Sequence, residues 1–211
     1  MSYKLWIMGH SFIDAIAKRR SYYHLSDSKI VDDNTIITLV DKLLLTMPTP
    51  FNVQSTRIVL LFGEQHRELW NILIGILQNM LSPERFEQSR RKIESAFMSG
   101  CGTILFYEDG EALDQMRHQF PLYAKNFDTW SEQSSAMFQF AIWTALEDMG
   151  YGASLQHYNP LIDNAVMERW LISNKWRLIA QMPFGTPLDI PTERLQRSSP
   201  FKRRIVFGEE P

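Results

Sequence analysis

Apolar positions recur along this chain with two different periods. In the second helix-like stretch, Ile36, Val40, Leu43, Leu44 and Met47 repeat at fours and threes, which predicts one buried helical face. Asp32 or Asp33 supplies its cap, and Pro48 and Pro50 end it. A shorter pattern of the same kind, with Phe12, Ala15 and Ile16 on one face, predicts a helix from a Ser11 cap through Lys18. Continuous β-branched and apolar runs behave differently. TRIVLLFG (56–63), TILFYED (103–109) and KWRLIAQMPFG (175–185) predict three buried strands. Between them, helices are expected over 64–80, from the Ser82-Pro83 start to about Met98, and in GEALDQMRHQF up to Pro121. SEQSSAMFQFAIWTALEDMG (131–150) carries apolar residues on most of its circumference. Such a helix sits in a core or at a subunit interface, and Gly150 is suited to end it.

Helices alternating with three buried strands place the chain in the α/β or α+β class. Its 211 residues suit one core better than two, and no linker or repeat divides them, so a single domain over 1–211 is expected. The segment from Thr186 to Pro211 is rich in proline and reads as an extended tail over the body. Net charge is −2, so an anion site has to be built locally, and a general nucleic-acid or membrane surface is disfavoured. Cys101 is the sole cysteine, which rules out an internal disulfide and fits a reducing compartment. The most apolar window, LWNILIGIL (69–77), is too short for a bilayer span, and the N-terminus has no signal-peptide pattern. A soluble, cytoplasmic protein is expected.

No glycine-rich phosphate loop, metal-ligand spacing or nucleophile motif is present. Four weaker segments remain. Arg19, Arg20 and Ser21 end the first helix, and arginine forks match phosphate oxygens. Pro48, Thr49, Pro50, Asn52 and Gln54 form a stiff loop with amides that suit the polar edge of a heterocycle. Gly152, Ala153 and Ser154 leave room for close backbone approach to a flat ligand. Lys202, Arg203 and Arg204 form a basic cluster in the tail. Each alone has an ordinary reading: a solvated helix end, turn chemistry, a short edge strand, a solvated charge run. Taken together they suit a ligand with a phosphate at one end and a flat, polar-edged ring at the other, as in flavin mononucleotide (FMN).

The segments RRSYYHL, DKLLLTMPTPFNVQS, FQFAIWTALEDMGYGASLQHYNPLID, WRLIAQMPFGTP and FKRRIVFG resemble the nitroreductase family of FMN-dependent oxidoreductases. The likeness is to its small single-domain branch of nitroreductase-like, or fatty acid repression mutant, proteins. The resemblance implies an α+β fold with a central mixed sheet wrapped by helices. It implies a homodimer with FMN at the subunit interface and the tail 186–211 reaching over the partner. It assigns Arg19, Arg20 and Ser21 to the phosphate and ribityl chain, with Lys202 and Arg204 closing on the same phosphate. It assigns Pro48, Thr49, Pro50, Asn52 and Gln54 to a loop laid against the partner's flavin, and Gly152, Ala153 and Ser154 to the N5 edge. Two departures stand out. Tyr23 occupies a position where many relatives carry Lys or Arg near the flavin pyrimidine, and Pro50 replaces a second serine. The implied activity is hydride transfer from NAD(P)H through FMN to nitroaromatic or quinone acceptors, with no protein nucleophile or metal. The alternative is a flavin-binding regulatory or stress-response protein with little turnover.

Overall fold

A computed structural model describes residues 12–191 and 193–208, so the expected Ser11 cap lies outside the described residues. The sheet is built around β3 (Gly102–Asp109), buried along its whole length. β3 pairs with β2 (Thr56–Phe62) on one side and β5 (Trp176–Pro187) on the other. Two short strands extend β5: β1 (Leu25–Ser26) and β4 (Gly152–Ala153). Every ladder is antiparallel. The expected mixed sheet reduces to a single parallel bridge among the described residues, between Ser21 and Ala153.

Side chains alternate across a strand, so β3 feeds two cores. Ile104 and Phe106 pack with α2 (Asp33–Thr46) and α6 (Phe127–Asp148), through Ile36, Val40, Phe138, Ile142 and Leu146. Leu105 and Tyr107 pack on the other face with α3 (Gly63–Met80) and α7 (Asp163–Trp170), through Leu69, Trp70, Leu73 and Val166. Helices thus cover both faces of an antiparallel sheet. This is why the strands read as continuous apolar runs and not as alternating ones.

The helix starts follow their caps. The Asp32 carboxylate accepts from Thr35 N–H at 2.7 Å, and Asp109 caps α5 (Gly110–Gln119) through Glu111 N–H at 3.0 Å. α1 spans Phe12–Lys18 as expected, and Gly150 closes the end of α6 at a φ of 92°. Three features differ from the sequence expectation. α6 begins at Phe127, after a 3-10 turn over Pro121–Asn126. The helix from Pro83 ends at Ile93 as α4 and passes into a π-turn over Glu94–Met98. α7 was not expected at all.

Candidate functional site

The parallel bridge places two of the sequence-predicted segments side by side. Ser21 pairs with Ala153, and Tyr22 N–H donates to the Ala153 carbonyl at 3.0 Å. Arg19, Arg20 and Ser21 therefore stand against Gly152, Ala153 and Ser154, just beyond the C-terminal end of α6. All three residues of that second segment are buried. Ser154 accepts from the Gln156 amide, and its N–H reaches the Pro183 carbonyl.

Arg19 is the electrostatic centre of this corner. Its guanidinium lies over the Trp143 ring at 4.2 Å, and its Nη1 is buried with no hydrogen-bond partner. Burial lowers its pKa, and Arg194, Arg20 and Arg197 push the same way against the opposing pull of Glu147. A buried cationic donor without an acceptor is costly, and neighbouring cations raise that cost. The donor set therefore matches a doubly charged anion such as a phosphate monoester. Beneath it, Glu147 accepts from Arg20 N–H and from the Tyr22 hydroxyl, and the Tyr22 pKa is pushed up to about 12 by burial and that carboxylate. Tyr23 is exposed. It lines a groove of about 250 Å³ with Arg20, Ser21, His24 and Asp189.

The amide loop is a separate construction. Phe51, Asn52 and Gln54 all adopt left-handed backbone, at φ of 50°, 55° and 50°. Such conformations persist only where surroundings enforce them. Phe51 packs its ring against Phe120 at 4.5 Å, and against Tyr123, Phe127 and Trp130. Thr49 Oγ1 accepts from Gln54 N–H, and the Gln54 carbonyl accepts from Arg57. The base of the loop is fixed by Glu108, a carboxylate buried in the sheet, which accepts from Ser55 at 2.5 Å and Thr56 at 2.9 Å. Burial raises the Glu108 pKa against those two hydrogen bonds. Pro48, Thr49 and Gln54 line a groove of about 340 Å³ with Arg57, Phe138 and Trp176. Pro50 and Asn52 belong to the 3-10 turn at its rim.

One subunit does not bring the loop and the cationic corner together. The loop rests on Trp130 and Arg19 on Trp143, and α6 advances about 20 Å between those two residues. Lys202 and Arg204 lie exposed in the tail, and neither is among the charges acting on Arg19. The tail cations that reach this corner are Arg197 and Arg194, and Arg194 Nη2 donates to the Arg19 carbonyl at 2.8 Å and to that of Ala17. Along α6 between the loop and this corner runs an apolar groove of about 660 Å³, lined by Phe12, Leu43, Met47, Met137, Phe140 and Ala141. Among the described residues no cluster suited to a metal is present, and no helix is long and apolar enough to cross a membrane.

Sequence reasoning missed Trp143, Glu147, Glu108 and Arg194. The first two sit one turn apart on a helix whose apolarity pointed to the core. Glu108 sits inside a strand read as uniformly buried.

Comparison with known proteins matches residues 16–186 to the model of the nitroreductase family. HBN1 of Saccharomyces cerevisiae is 31% identical over 186 residues, spanning 87% of this chain and 92% of that protein. The nitroreductase CinD from Lactococcus lactis, in complex with nicotinic acid, is 36% identical, with a TM-score of 0.85 over 94% of this chain and 100% of that chain. A structure from Desulfovibrio desulfuricans in complex with FMN shares the fold at 17% identity, with a TM-score of 0.65 over 96% of this chain and 98% of that one.

Proposed function

The chain belongs to the nitroreductase family of oxidoreductases, and on that premise we propose that it binds FMN and uses NAD(P)H to reduce nitroaromatic or quinone-type acceptors. The observation that carries the reading is the orphaned donor of Arg19, buried among Arg20, Arg194 and Arg197. That donor set fits the phosphate end of FMN, with the Ser21 hydroxyl beside it. The exposed Tyr23 groove adjoins the position of the ring, while Gly152, Ala153 and Ser154, buried behind it, back the arginine segment. When bound, FMN supplies two-electron transfer between a reduced nicotinamide and an electron-poor acceptor. The protein's task is to hold, orient and shield. A positive charge beside the flavin pyrimidine would favour the anionic reduced form, and exposed Tyr23 offers only a neutral hydrogen bond there.

The assembly we propose is a homodimer. The loop packs on Trp130 and the Arg19 corner on Trp143, about 20 Å apart along α6, so in this reading the loop meets the ring from a second subunit. The apolar groove between them supports the same reading. In that dimer the tail, with Lys202 and Arg204, is free to close on the partner.

The test is the visible spectrum of the purified protein, then bleaching by NADH or NADPH under nitrogen and recovery with a nitroaromatic or a quinone. A yellow protein that bleaches and recovers supports the reading. A yellow protein that takes up no hydride favours a flavin-binding regulator, and a colourless protein that does not take up added FMN overturns both. Arg19→Ala should lower FMN affinity by at least tenfold, a charged hydrogen bond's worth or more. Full FMN occupancy in that variant would remove Arg19 from the site.

A further inference from the structure

We propose that Trp143 and Glu147 are positioning residues that fix Arg19 and Arg20 at the spacing needed to grip a phosphate. The inference rests on the FMN reading above. Residues one turn apart on a helix present their side chains side by side, and these two hold the arginine segment at Arg19, Arg20 and Tyr22. The Trp143 ring lies under the Arg19 guanidinium at 4.2 Å, and its indole N–H donates to the Arg20 carbonyl at 3.2 Å. Glu147 uses both oxygens: Oε2 accepts from Arg20 N–H at 3.2 Å, and Oε1 accepts from the Tyr22 hydroxyl at 3.1 Å. The helix behind them is anchored in the core by Ile142 and Leu146, both fully buried. A segment that would otherwise be a loose helix end is thus registered against the most deeply packed helix of the fold. A guanidinium resting on an indole face spends none of its N–H groups on that contact.

Glu147 has two opposed effects on a bound phosphate, and their signs separate them. As a negative charge near the arginines it repels the anion, so its removal should tighten binding, and salt should screen that gain. As an acceptor of two hydrogen bonds it sets the backbone of Arg20 and the ring of Tyr22, so its removal should loosen binding, largely whatever the salt. Glutamine keeps the size but replaces one acceptor oxygen with a donor and removes the charge, so one of the two hydrogen bonds must reverse and both lose the carboxylate's strength. The positioning role predicts that loosening wins.

The experiment compares FMN with riboflavin, which lacks the phosphate, as ligands of the apoprotein at low and high salt. Glu147→Gln is expected to bind FMN about tenfold more weakly, as suits the loss of a hydrogen bond to a charged group. Riboflavin affinity should stay within about twofold. Trp143→Phe keeps the ring platform and loses the N–H, so a loss of about threefold, again selective for FMN, is expected. It also serves if Glu147→Gln does not fold. Arg19→Ala is the benchmark. If Arg19→Ala leaves the preference for FMN over riboflavin intact, the phosphate reading falls and this inference with it. If Arg19→Ala erases the preference while Glu147→Gln tightens FMN, leaves it unchanged, or weakens both flavins equally, the positioning role is wrong and the phosphate reading stands.

Discussion

A Cβ built on Gly152 would stand 2.7 Å from Cγ and 2.8 Å from Cβ of Tyr22, and 3.0 Å from Cδ2 of Leu25. On this subunit the room left by the missing side chain is filled by a ring that belongs to the arginine segment. The sequence suggests a glycine that admits a ligand, and the structure shows first a glycine that admits Tyr22. Gly152→Val should therefore push Tyr22 off Glu147 and disturb Arg20 and Ser21 with it. Overpacking of this kind costs about 1–3 kcal/mol. Urea denaturation should show that loss, and the same protein should retain FMN poorly, because the displaced residues are those proposed to hold the phosphate. A variant of unchanged stability would mean that the Tyr22 ring moves aside without cost.

Elements are tied together here by buried polar groups as well as by packing, and His66 is the clearest case. It projects from α3, shares a 2.8 Å contact with the Thr103 hydroxyl on β3, and lies 3.2 Å from the Met98 carbonyl at the end of the π-turn. Burial lowers its pKa to about 4 from an ordinary 6.5. Below pH 6.5 the unfolded chain takes up a proton here that the folded chain refuses until about pH 4. Stability is thus full above that window and falls as pH drops through it, by up to about 3 kcal/mol from this group. Denaturation midpoints across pH 4–7 should slope more steeply in the parent than in His66→Gln, and parallel slopes would remove His66 as the cause. The π-turn that His66 braces was not legible in the sequence, because Ser82-Pro83 and the following pattern run through it without a break. α2, β2, β3 and β5 were legible because their caps, prolines and apolar runs are local signals. α7 is short and half polar, and two-residue strands such as β4 carry no period. The left-handed loop at Phe51 depends on rings between Phe120 and Trp130, far along the chain. The candidate site divides in the same way. Residue types suggested phosphate and ring contacts and the resemblance named them, whereas Trp143 and Glu147 gave no signal because their roles lie in contacts to Arg19, Arg20 and Tyr22.

At the scale of the whole molecule, α6 has more apolar surface than one subunit covers. Phe138, Ile142 and Leu146 face the core, while Met137 and Phe140 remain 44% and 38% exposed beside Phe12 at 71%. Leu44 and Leu45 at the end of α2 are also exposed, and they line the neighbouring groove beside the amide loop. A contiguous apolar surface of this kind marks an association site. In the proposed dimer, association would deliver the amide loop of one subunit to the arginine corner of another. Flavin retention should then depend on assembly. Phe140→Glu places a charge in the apolar groove along α6 while altering neither Arg19 nor any loop residue. A buried unpaired carboxylate is expensive enough to block association. The expected result is a folded monomer by sedimentation that has lost its absorbance near 450 nm, with Arg19, Gln54 and every other proposed contact unchanged in sequence. A Phe140→Glu monomer that kept FMN and full acceptor reduction would show that one subunit suffices, and the loop over Thr49, Asn52 and Gln54 would then need a different ligand.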